Sequence, residues 1–472
     1  MIHFDSSTAP FPEDLSILAG TRPRPPFLIG PADTADLSAY HRLRRDEFVH
    51  AQALFPGTDI DAIDDDPRTV VLVARAADGT LLGGVRLAPV GAVDIGWWTG
   101  SRLVTTRAAR SAGVGPALIR AACAHVESAG VLRFEADVQT RYAPTFAALG
   151  WEQLGQNVVA DRPHTRMRFP LNPFTGLAAA TKSFLGDTLA PLRAIRGGLG
   201  PAGFVGDDGA PIPGTDLIAA CDAIIPSMVE RDPEWAGWCS VLVNVNDLTA
   251  MGARPVGLLD AVGAPNRQIL DRIIGGITAA SAAWRTPVLG GHTQLGVPAA
   301  LAVTALGRTA APVPAGGGRS GDRVRLTADL SGRWRPGYTG KQWDSTSTRS
   351  AAELAAMTGL VAELRPRAAK DVSMAGVVGT LGMLAEASGM GAELDIAAVP
   401  RPTDAPVGQW LTCFPGYAML TAGRPAPAPA LPTGVVDADC GSLTAAPGVR
   451  LRWPDGMTTT ALTTPVTGIG PA

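Results

Sequence analysis

Apolar and polar positions along the chain follow two periods, that of a helix and that of a strand. In the first third, apolar residues at helical spacing predict helices over residues 37–48, 115–129 and 142–149. Runs of β-branched and apolar residues predict strands over 70–74, 81–87 and 134–138, and Asp78-Gly79 predicts a hairpin between the first two. Strands that alternate with helices are typical of an α/β domain.

A second α/β pattern begins after the Pro-rich segment 169–174. We expect buried strands over 241–245, 301–306 and 323–327, and helices over 269–283, 351–364 and 375–388. Asp247 is expected to cap the helix after the 241–245 strand, and Gly252 to end it. The predicted organisation is an irregular lead-in (1–25), a first domain (26–172) and a second domain made of two subdomains (173–315 and 316–472).

Composition narrows the class of protein. With 472 residues, 46% hydrophobic and 18% charged, the chain has enough apolar side chains for more than one packed core. A net charge of −3 without a basic tract argues against a nucleic-acid partner, and no apolar run is long enough for a membrane span. The first residues lack the pattern of a secretory signal, and the five scattered cysteines resemble reduced thiols. We therefore expect a cytoplasmic protein that acts on small molecules.

A first candidate site lies at the start of the predicted 115–129 helix. Arg110-Ser111-Ala112-Gly113-Val114-Gly115 places glycines in a turn between an apolar strand and that helix. Such a turn presents several backbone N–H groups to a phosphate, and the helix N-terminus adds favourable partial charge. In a chain with 55 glycines, an ordinary strand-to-helix turn is the alternative interpretation.

With these residues in view, segment 25–170 resembles the GNAT N-acetyltransferase family, whose motif is Arg/Gln-x-x-Gly-x-Gly/Ala. The strand over 132–138 and the segment Phe146-Ala147-Ala148-Leu149-Gly150-Trp151 match later elements of that family. The resemblance implies a mixed central sheet with flanking helices and direct transfer of an acyl group from acetyl-CoA, or another acyl-CoA, to an amine. It also implies that backbone groups near Val104 hold the thioester, and that Arg110, Ser111, Ala112, Gly113, Val114 and Gly115 hold the pyrophosphate.

The acid and the base of this domain are less clearly marked. Many family members carry a Tyr acid where this chain has Phe146, which has no proton to give. Tyr142, on the same predicted helix face, is the substitute acid or simply a packed aromatic residue. Glu135 and Asp137 alternate with apolar residues on a strand, where they serve as a base for an amine or form a solvated strand face.

A second candidate site gathers carboxylates from distant segments. Asp207, Asp208, Asp222, Asp247 and Asp371 each lie beside a Gly-rich or strand-end turn. Mg²⁺, the usual partner of ATP, prefers such hard oxygen ligands. Each residue also has an ordinary explanation as a turn or cap residue, and only their order along the chain favours a common site.

Segment 177–465 resembles the AIR synthase-like superfamily, which includes thiamine-monophosphate kinase. The resemblance is carried by Gly206-Asp207-Asp208-Gly209-Ala210, by 246–255 (NDLTAMGARP), by Gly290-Gly291-His292-Thr293 and by 370–376 (KDVSMAG). It implies that the five aspartates hold Mg²⁺–ATP, that Asn246, Gly290, Gly291 and Lys370 line the nucleotide site, and that His292 has a catalytic role. It also implies a fold of two α/β subdomains and a homodimer whose subunits share a barrel.

Two departures from the kinase branch are visible. His292 and Met374 stand where thiamine-monophosphate kinase has aspartates, so a plain kinase is not favoured. The main hypothesis is a bifunctional enzyme: an acyl-CoA-dependent N-acyltransferase fused to a Mg²⁺–ATP-dependent domain that acts on a small nitrogen-containing metabolite. The alternative is a regulatory or scaffold protein that binds ATP, acyl-CoA or both without turnover.

Overall fold

The computed structural model describes residues 27–425, 427, 430–463 and 465–472, so the predicted lead-in, 1–25, lies outside the described residues. The described chain divides into two compact units. The first comprises residues 27–93, 97–128 and 133–170, and the second comprises 94–96, 129–132 and 171–472.

The first unit is built on a seven-stranded sheet with the order β1-β2-β3-β4-β5-β7-β6. Its strands are β1 (Phe27–Pro31), β2 (Val70–Ala76), β3 (Leu81–Pro89), β4 (Trp97–Thr105), β5 (Arg133–Gln139), β6 (Glu152–Val159) and β7 (Arg162–Phe169). Its helices are α1 (Thr34–Arg44), which a π-helical segment continues over Arg45–Ala51, α2 (Val114–Ser128) and α3 (Ala143–Ala148). The helices and strands predicted for this segment are confirmed, with ends shifted by a few residues.

The sheet of the first unit opens between two neighbouring strands. β4 and β5 run parallel, but they pair only where Trp97–Thr99 lies opposite Arg133–Glu135. The other neighbours in this sheet are antiparallel and pair over five or more residues. Beyond Thr99 the two strands no longer pair, so their backbone groups there are available for other contacts.

The second unit begins with a five-stranded sheet of order β11-β10-β12-β9-β8. Its strands are β8 (Ala210–Pro211), β9 (Leu217–Ala223), β10 (Arg254–Ala264), β11 (Val288–Leu295) and β12 (Ala300–Arg308), and the helices are α4 (Pro173–Thr181), α5 (Leu185–Arg193), α6 (Pro226–Arg231), α7 (Pro233–Ala250) and α8 (Arg267–Ala283). One face of the sheet packs on α7 and α8, with Ile218, Leu258 and Val262 buried against Val245 and Ile277. Burial of these side chains stabilises the unit through the hydrophobic effect.

The strand predicted over 241–245 was wrong. This segment lies inside α7, in which nearly every residue from Trp235 to Ala250 is buried. A helix that is buried on all sides shows no polar stripe, and a short apolar run within it resembles a buried strand. Asp247 consequently lies within the helix and does not cap it, whereas Gly252 follows the helix end with a φ of +65°, as expected for a C-terminal glycine.

A seven-stranded sheet of order β16-β18-β13-β19-β17-β20-β21 follows in the second unit. Its strands are β13 (Arg323–Asp329), β16 (Ala368–Asp371), β17 (Gly391–Asp395), β18 (Ala418–Gly423), β19 (Val435–Thr444), β20 (Val449–Arg452) and β21 (Thr458–Leu462), beside a ribbon of β14 (Arg333–Trp334) and β15 (Trp343–Asp344). The helices are α9 (Ala351–Thr358), α10 (Leu360–Leu364), α11 (Gly376–Ala387) and α12 (Val407–Thr412). The predicted 351–364 helix is thus divided at Gly359.

All five cysteines are free, and only Cys221 among them is exposed. Within the described ranges, no helix combines the length and the apolar character that crossing a bilayer requires.

Candidate functional site

Three carboxylates from distant segments meet in the second unit. Asp208 lies in the turn before β8, Asp247 on α7 and Asp371 at the end of β16. One ligand oxygen of each lies within 4.8 Å of the others, and Asp247 and Asp371 are buried. We refer to these three residues as the carboxylate cluster.

Close packing brings the Asp208 turn into this position. A Cβ at Gly209 would lie 2.8 Å from Cγ2 of Ile218 on β9 and 3.2 Å from Cγ of Met251, which follows α7. Only glycine therefore lets the turn approach both elements. The backbone N–H of Asp371 donates to Oδ2 of Asp208 at 3.2 Å, which joins the turn to the end of β16.

Lys370 and Asp207 contact the Asp208 turn of the carboxylate cluster. The Lys370 ammonium forms an ion pair with Asp208 and lies 3.7 Å from Oδ1 of Asp207. The two oxygens of Asp207 accept hydrogen bonds from the backbone N–H of Asp208 at 2.8 Å and of Ala315 at 2.7 Å. Asp207, predicted as a metal ligand, thus holds the turn in shape, and Lys370, predicted to contact nucleotide, neutralises the cluster.

The electrostatics of the cluster favour a cation. Burial, and after it the neighbouring carboxylates, raise the pKa of Asp247 and of Asp371 well above the usual range of an aspartate. Burial raises the pKa of Asp207 to about 6. Although burial lowers the pKa of Lys370, the carboxylates of Asp208 and Asp207 outweigh it, so that its pKa is raised. Excess negative charge in a dry site is what a divalent cation with hard oxygen ligands relieves, so these residues fit Mg²⁺.

Asp222 lies at the edge of the same region. It is on β9, where it shares a sheet face with Ile218 and Ala220, both buried toward α7. Its side chain is exposed, yet the surrounding protein displaces enough water to raise its pKa, and Lys182 opposes this shift. Asp222 is therefore a flanking acidic group, outside the three residues of the cluster.

The structure does not bring His292 to the carboxylates. In the cross-strand register, Asp222 lies in the row Asp222–Val303–Asp260–Gly291, on the face that packs on α7. His292 is one residue further along β11, and successive side chains of a strand point to opposite faces. His292 thus projects from the open face, roughly 14 Å across three strand spacings from the Asp222 position. Gly290 and Gly291 share this edge strand.

Asn246, which was expected to line the nucleotide site, makes a structural hydrogen bond, whereas Ser373, for which no role was expected, is a candidate ligand contact. The Asn246 side chain donates to the Gly416 carbonyl at 2.8 Å and is buried, so it connects α7 to the segment before β18. Ser373, two residues after Asp371, has a buried Oγ without a hydrogen-bond partner among the described residues. Buried hydroxyls normally have partners, so this atom is a candidate ligand contact. Sequence reasoning missed it, although it lies in the quoted 370–376 segment.

In the first unit, a cavity of about 600 Å³ lies at the opening between β4 and β5. Its walls include Val104, Arg110, Gly115, Asp137 and Tyr142. A short 3₁₀ helix over Arg110–Ala112 ends at Gly113, whose φ is +74°, and α2 begins at the next residue. The predicted strand–turn–helix arrangement is therefore present, with a glycine that adopts the left-handed conformation.

The predicted acid and base candidates have different surroundings. Glu135 does not line the cavity, and its carboxylate accepts from Arg133 at 2.8 Å and from Arg168 at 2.6 Å. This pairing leaves Glu135 poorly placed to act as a base. Tyr142 lies in a 3₁₀ turn, 46% exposed, beside the cavity. Phe146 is buried, with its ring 5.1 Å from that of Trp151.

Comparison with known proteins assigns the second unit. Residues 206–309 match the model for the AIR synthase related protein, N-terminal domain, and residues 345–435 match the C-terminal domain of the same protein. The chain is 39% identical over 236 residues to the uncharacterized Synechocystis sp. protein sll0787, a match that covers 48% of this chain and 73% of the relative. The chain belongs to the AIR synthase-related family.

Two further similarities are more distant. Thiamine-monophosphate kinase of Methanospirillum hungatei JF-1 is 31% identical over 176 residues, which is 36% of this chain and 60% of that protein. A solved structure of AaThiL complexed with AMPPCP and TMP is 19% identical, with a TM-score of 0.46, and the match covers 59% of this chain and 95% of that one.

Proposed function

We propose that the second unit is a Mg²⁺–ATP-dependent enzyme whose metal is held by Asp208, Asp247 and Asp371. The observation that carries the proposal is the carboxylate cluster, in which three chain segments place ligand oxygens within 4.8 Å of one another. Membership of the AIR synthase-related family, and a relative named thiamine-monophosphate kinase, support an ATP-dependent activity.

Each residue of the site has a part in this chemistry. When Mg²⁺ is bound, it neutralises the negative charge of the phosphates, and phosphoryl transfer requires this neutralisation. The carboxylate cluster would hold the ion, while Lys370 fixes Asp208 and Asp207 keeps the turn in place. The free hydroxyl of Ser373 is available as a hydrogen-bond donor to a bound anion. The acceptor proposed for the phosphoryl group is an oxygen of a small nitrogen-containing metabolite.

Phosphorus NMR of ATP and Mg²⁺ with the full chain and a metabolite panel tests this function. We expect one compound to stimulate ADP formation, with loss of that stimulation in Asp371→Asn. Asp271→Asn, which changes an exposed aspartate on α8, is the matched control and keeps the stimulation. Tight ATP binding without turnover across the panel favours the alternative, a regulatory or scaffold protein. Met374 favours that alternative, since its exposed thioether stands where the kinase branch has a carboxylate.

We further propose that the five-stranded sheet covers its open face with a second copy of the chain. The central positions on this face are apolar or uncharged and run in rows across four strands, between the charged end row of Arg308 and Arg254 and the far end of the sheet: Ala219, Cys221 and Ala223; Leu306, Thr304 and Ala302; Leu259 and Ala261; and His292. Leu259 is 41% exposed and Leu289 60%. An exposed apolar patch with charged residues at its rim is typical of an interaction surface. His292 would then lie at the interface.

For the first unit we propose binding of an acyl-CoA and transfer of its acyl group to an amine. Three features support this: the strand order, the separation of β4 from β5, and the Gly113 turn that opens α2 beside a 600 Å³ cavity. The β4 backbone near Val104 pairs with β3 but not with β5, so its β5 side is available to hold a thioester, and the start of α2 is available to hold a pyrophosphate. Tyr142 and Asp137 are the cavity residues available for proton transfer.

Thermal shift of the full chain with acetyl-CoA tests the proposed acyl-CoA binding. A Cβ at position 115 would meet only Cγ2 of Thr105, at 4.0 Å, so Gly115→Ala fits the fold. We expect Gly115→Ala to keep the stabilisation by acetyl-CoA and Gly115→Glu to lose it, because a carboxylate there repels the pyrophosphate. Equal responses of the two variants, or no response of the natural chain, contradict the proposal.

A further inference from the structure

Six arginines converge at one end of the larger sheet of the second unit. Arg323 and Arg325 lie on β13, Arg367 immediately precedes β16, and Arg424 immediately follows β18. The other two are Arg319, in the turn before β13, and Arg365, at the end of α10. Together they line a cavity of about 450 Å³, along with Leu364, Pro366 and Pro425. We call this cavity the arginine cleft.

The strand order explains the convergence. β16, β18 and β13 are neighbouring strands. The first residues of β13 and β16 and the last residues of β18 therefore lie at the same end of the sheet. In the β13–β18 register Arg323 lies opposite Gly423, and Arg325 lies opposite Thr421. The backbone N–H of Arg367 donates to the Ala422 carbonyl at 2.9 Å. Because the residues of β18 between these arginines are small, long cationic side chains flank an open groove.

The charges in the cleft are only partly compensated. Three of the arginines have carboxylate partners, in the pairs Arg323–Asp439, Arg325–Asp437 and Arg367–Asp322. None of these aspartates lines the cleft. Arg319, Arg365 and Arg424 are exposed and form no ion pair with any carboxylate in the described part of the chain. Three positive charges thus share one concave surface without a counter-charge, an arrangement that an anion stabilises.

We propose that the arginine cleft binds a small molecule that carries two or more linked phosphate groups. The planar guanidinium group presents paired N–H donors that match phosphate oxygens, and arginines from three strand ends can contact successive phosphates. A single carboxylate would balance only one of the three free charges. The volume is that of a metabolite pocket, and the chain's net charge of −3 does not favour a nucleic acid.

The cleft is separate from the carboxylate cluster. Arg367 precedes the first residue of β16, whereas Lys370 and Asp371 end that strand. The lining of the cleft contains no residue of the cluster. Phosphate binding in the arginine cleft is therefore expected without a divalent cation, whereas nucleotide binding at the carboxylate cluster is expected to need one.

Isothermal titration of the full chain with inorganic tripolyphosphate in EDTA tests this proposal. EDTA removes the cation on which the carboxylate cluster depends. We expect Arg365→Gln/Arg424→Gln to weaken binding about tenfold or more, since charge-assisted hydrogen bonds are lost. Arg267→Gln/Arg285→Gln removes the same charge from exposed positions elsewhere and is expected to keep the affinity.

Four results would overturn the inference: no heat with the natural chain, equal weakening in both double variants, equal affinity for orthophosphate and tripolyphosphate, or loss of tripolyphosphate binding in Asp247→Asn. Retained binding in Asp247→Asn supports a site independent of the metal. Because the arginines changed are exposed and unpaired, the test variant is expected to fold normally, which its melting temperature checks.

Discussion

Lys370 and Asp208 form an ion pair between segments 162 residues apart, and both side chains are at least nine-tenths buried. The pair joins the last residues of β16 to the turn before β8, and its Asp208 carboxylate is one of the three in the carboxylate cluster. Lys370 offsets the negative charge of the carboxylates around it, and Lys182 also opposes the rise in the pKa of Asp222 and of Asp371.

Removal of the cation should destabilise the second unit. Lys370→Met leaves the carboxylates of Asp208 and Asp207 buried without their partner, and breaking a buried pair in this way costs roughly 3–5 kcal/mol of unfolding free energy. Urea unfolding in EDTA measures the loss. Lys341→Met, at an exposed lysine, is the control and should change stability little. A loss no larger than that of the control would show that Lys370 does not balance the cluster.

Removal of one carboxylate should have the opposite effect on the metal-free protein. Asp247 is buried beside Asp371, and its raised pKa means that its charged form is disfavoured in the fold. Asp247→Asn should therefore raise the melting temperature in EDTA at neutral pH while it abolishes the stabilisation by Mg²⁺. Asp271→Asn should change neither quantity. A melting temperature of Asp247→Asn that still rises with Mg²⁺ contradicts the assignment.

Stability should fall with rising pH when no metal is present. Burial raises the pKa of Asp207 to about 6, so the folded chain binds its proton more tightly than the unfolded chain does. That contribution is complete below the usual aspartate pKa of about 4 and is lost as the pH rises through about 6. Mg²⁺ competes with protons for Asp247 and Asp371, whose pKa values are also raised. The gain in melting temperature from millimolar Mg²⁺ should thus be larger at about pH 8 than at about pH 5.

Charge on the open face of the five-stranded sheet should separate the proposed dimer. Leu259→Glu places a carboxylate in the middle of the uncharged rows, where burial against a second copy would be costly. Light scattering after size exclusion should report a monomer for this variant and a dimer for the natural chain. Leu28→Glu, at a leucine that is 79% exposed on β1, is the control and should stay dimeric. A monomeric natural chain rules out the interface.

The sequence predicts the elements of the fold better than the geometry of the site. Regular periodicity revealed helices such as α2 and α8, because each has one buried and one solvated face. Residues 241–245 of α7 resemble a strand in sequence because the helix is buried on all sides. Sequence motifs identify the candidate aspartates, but they do not show which of them share one site. That depends on the register of β9 and on the Gly209 turn. The face on which His292 lies depends on the parity of its strand position, which motif spacing does not show.

Anomalous diffraction from crystals of the full chain grown with Mn²⁺ and a non-hydrolysable ATP analogue shows where the metal and the nucleotide bind. Mn²⁺ takes the same oxygen ligands as Mg²⁺, and its anomalous signal identifies it. We expect an anomalous peak bonded to the carboxylates of Asp208, Asp247 and Asp371, with the phosphates of the analogue bound to the same metal ion. A nucleotide and a Mn²⁺ peak found elsewhere, with these three side chains unliganded, would contradict the proposed metal site.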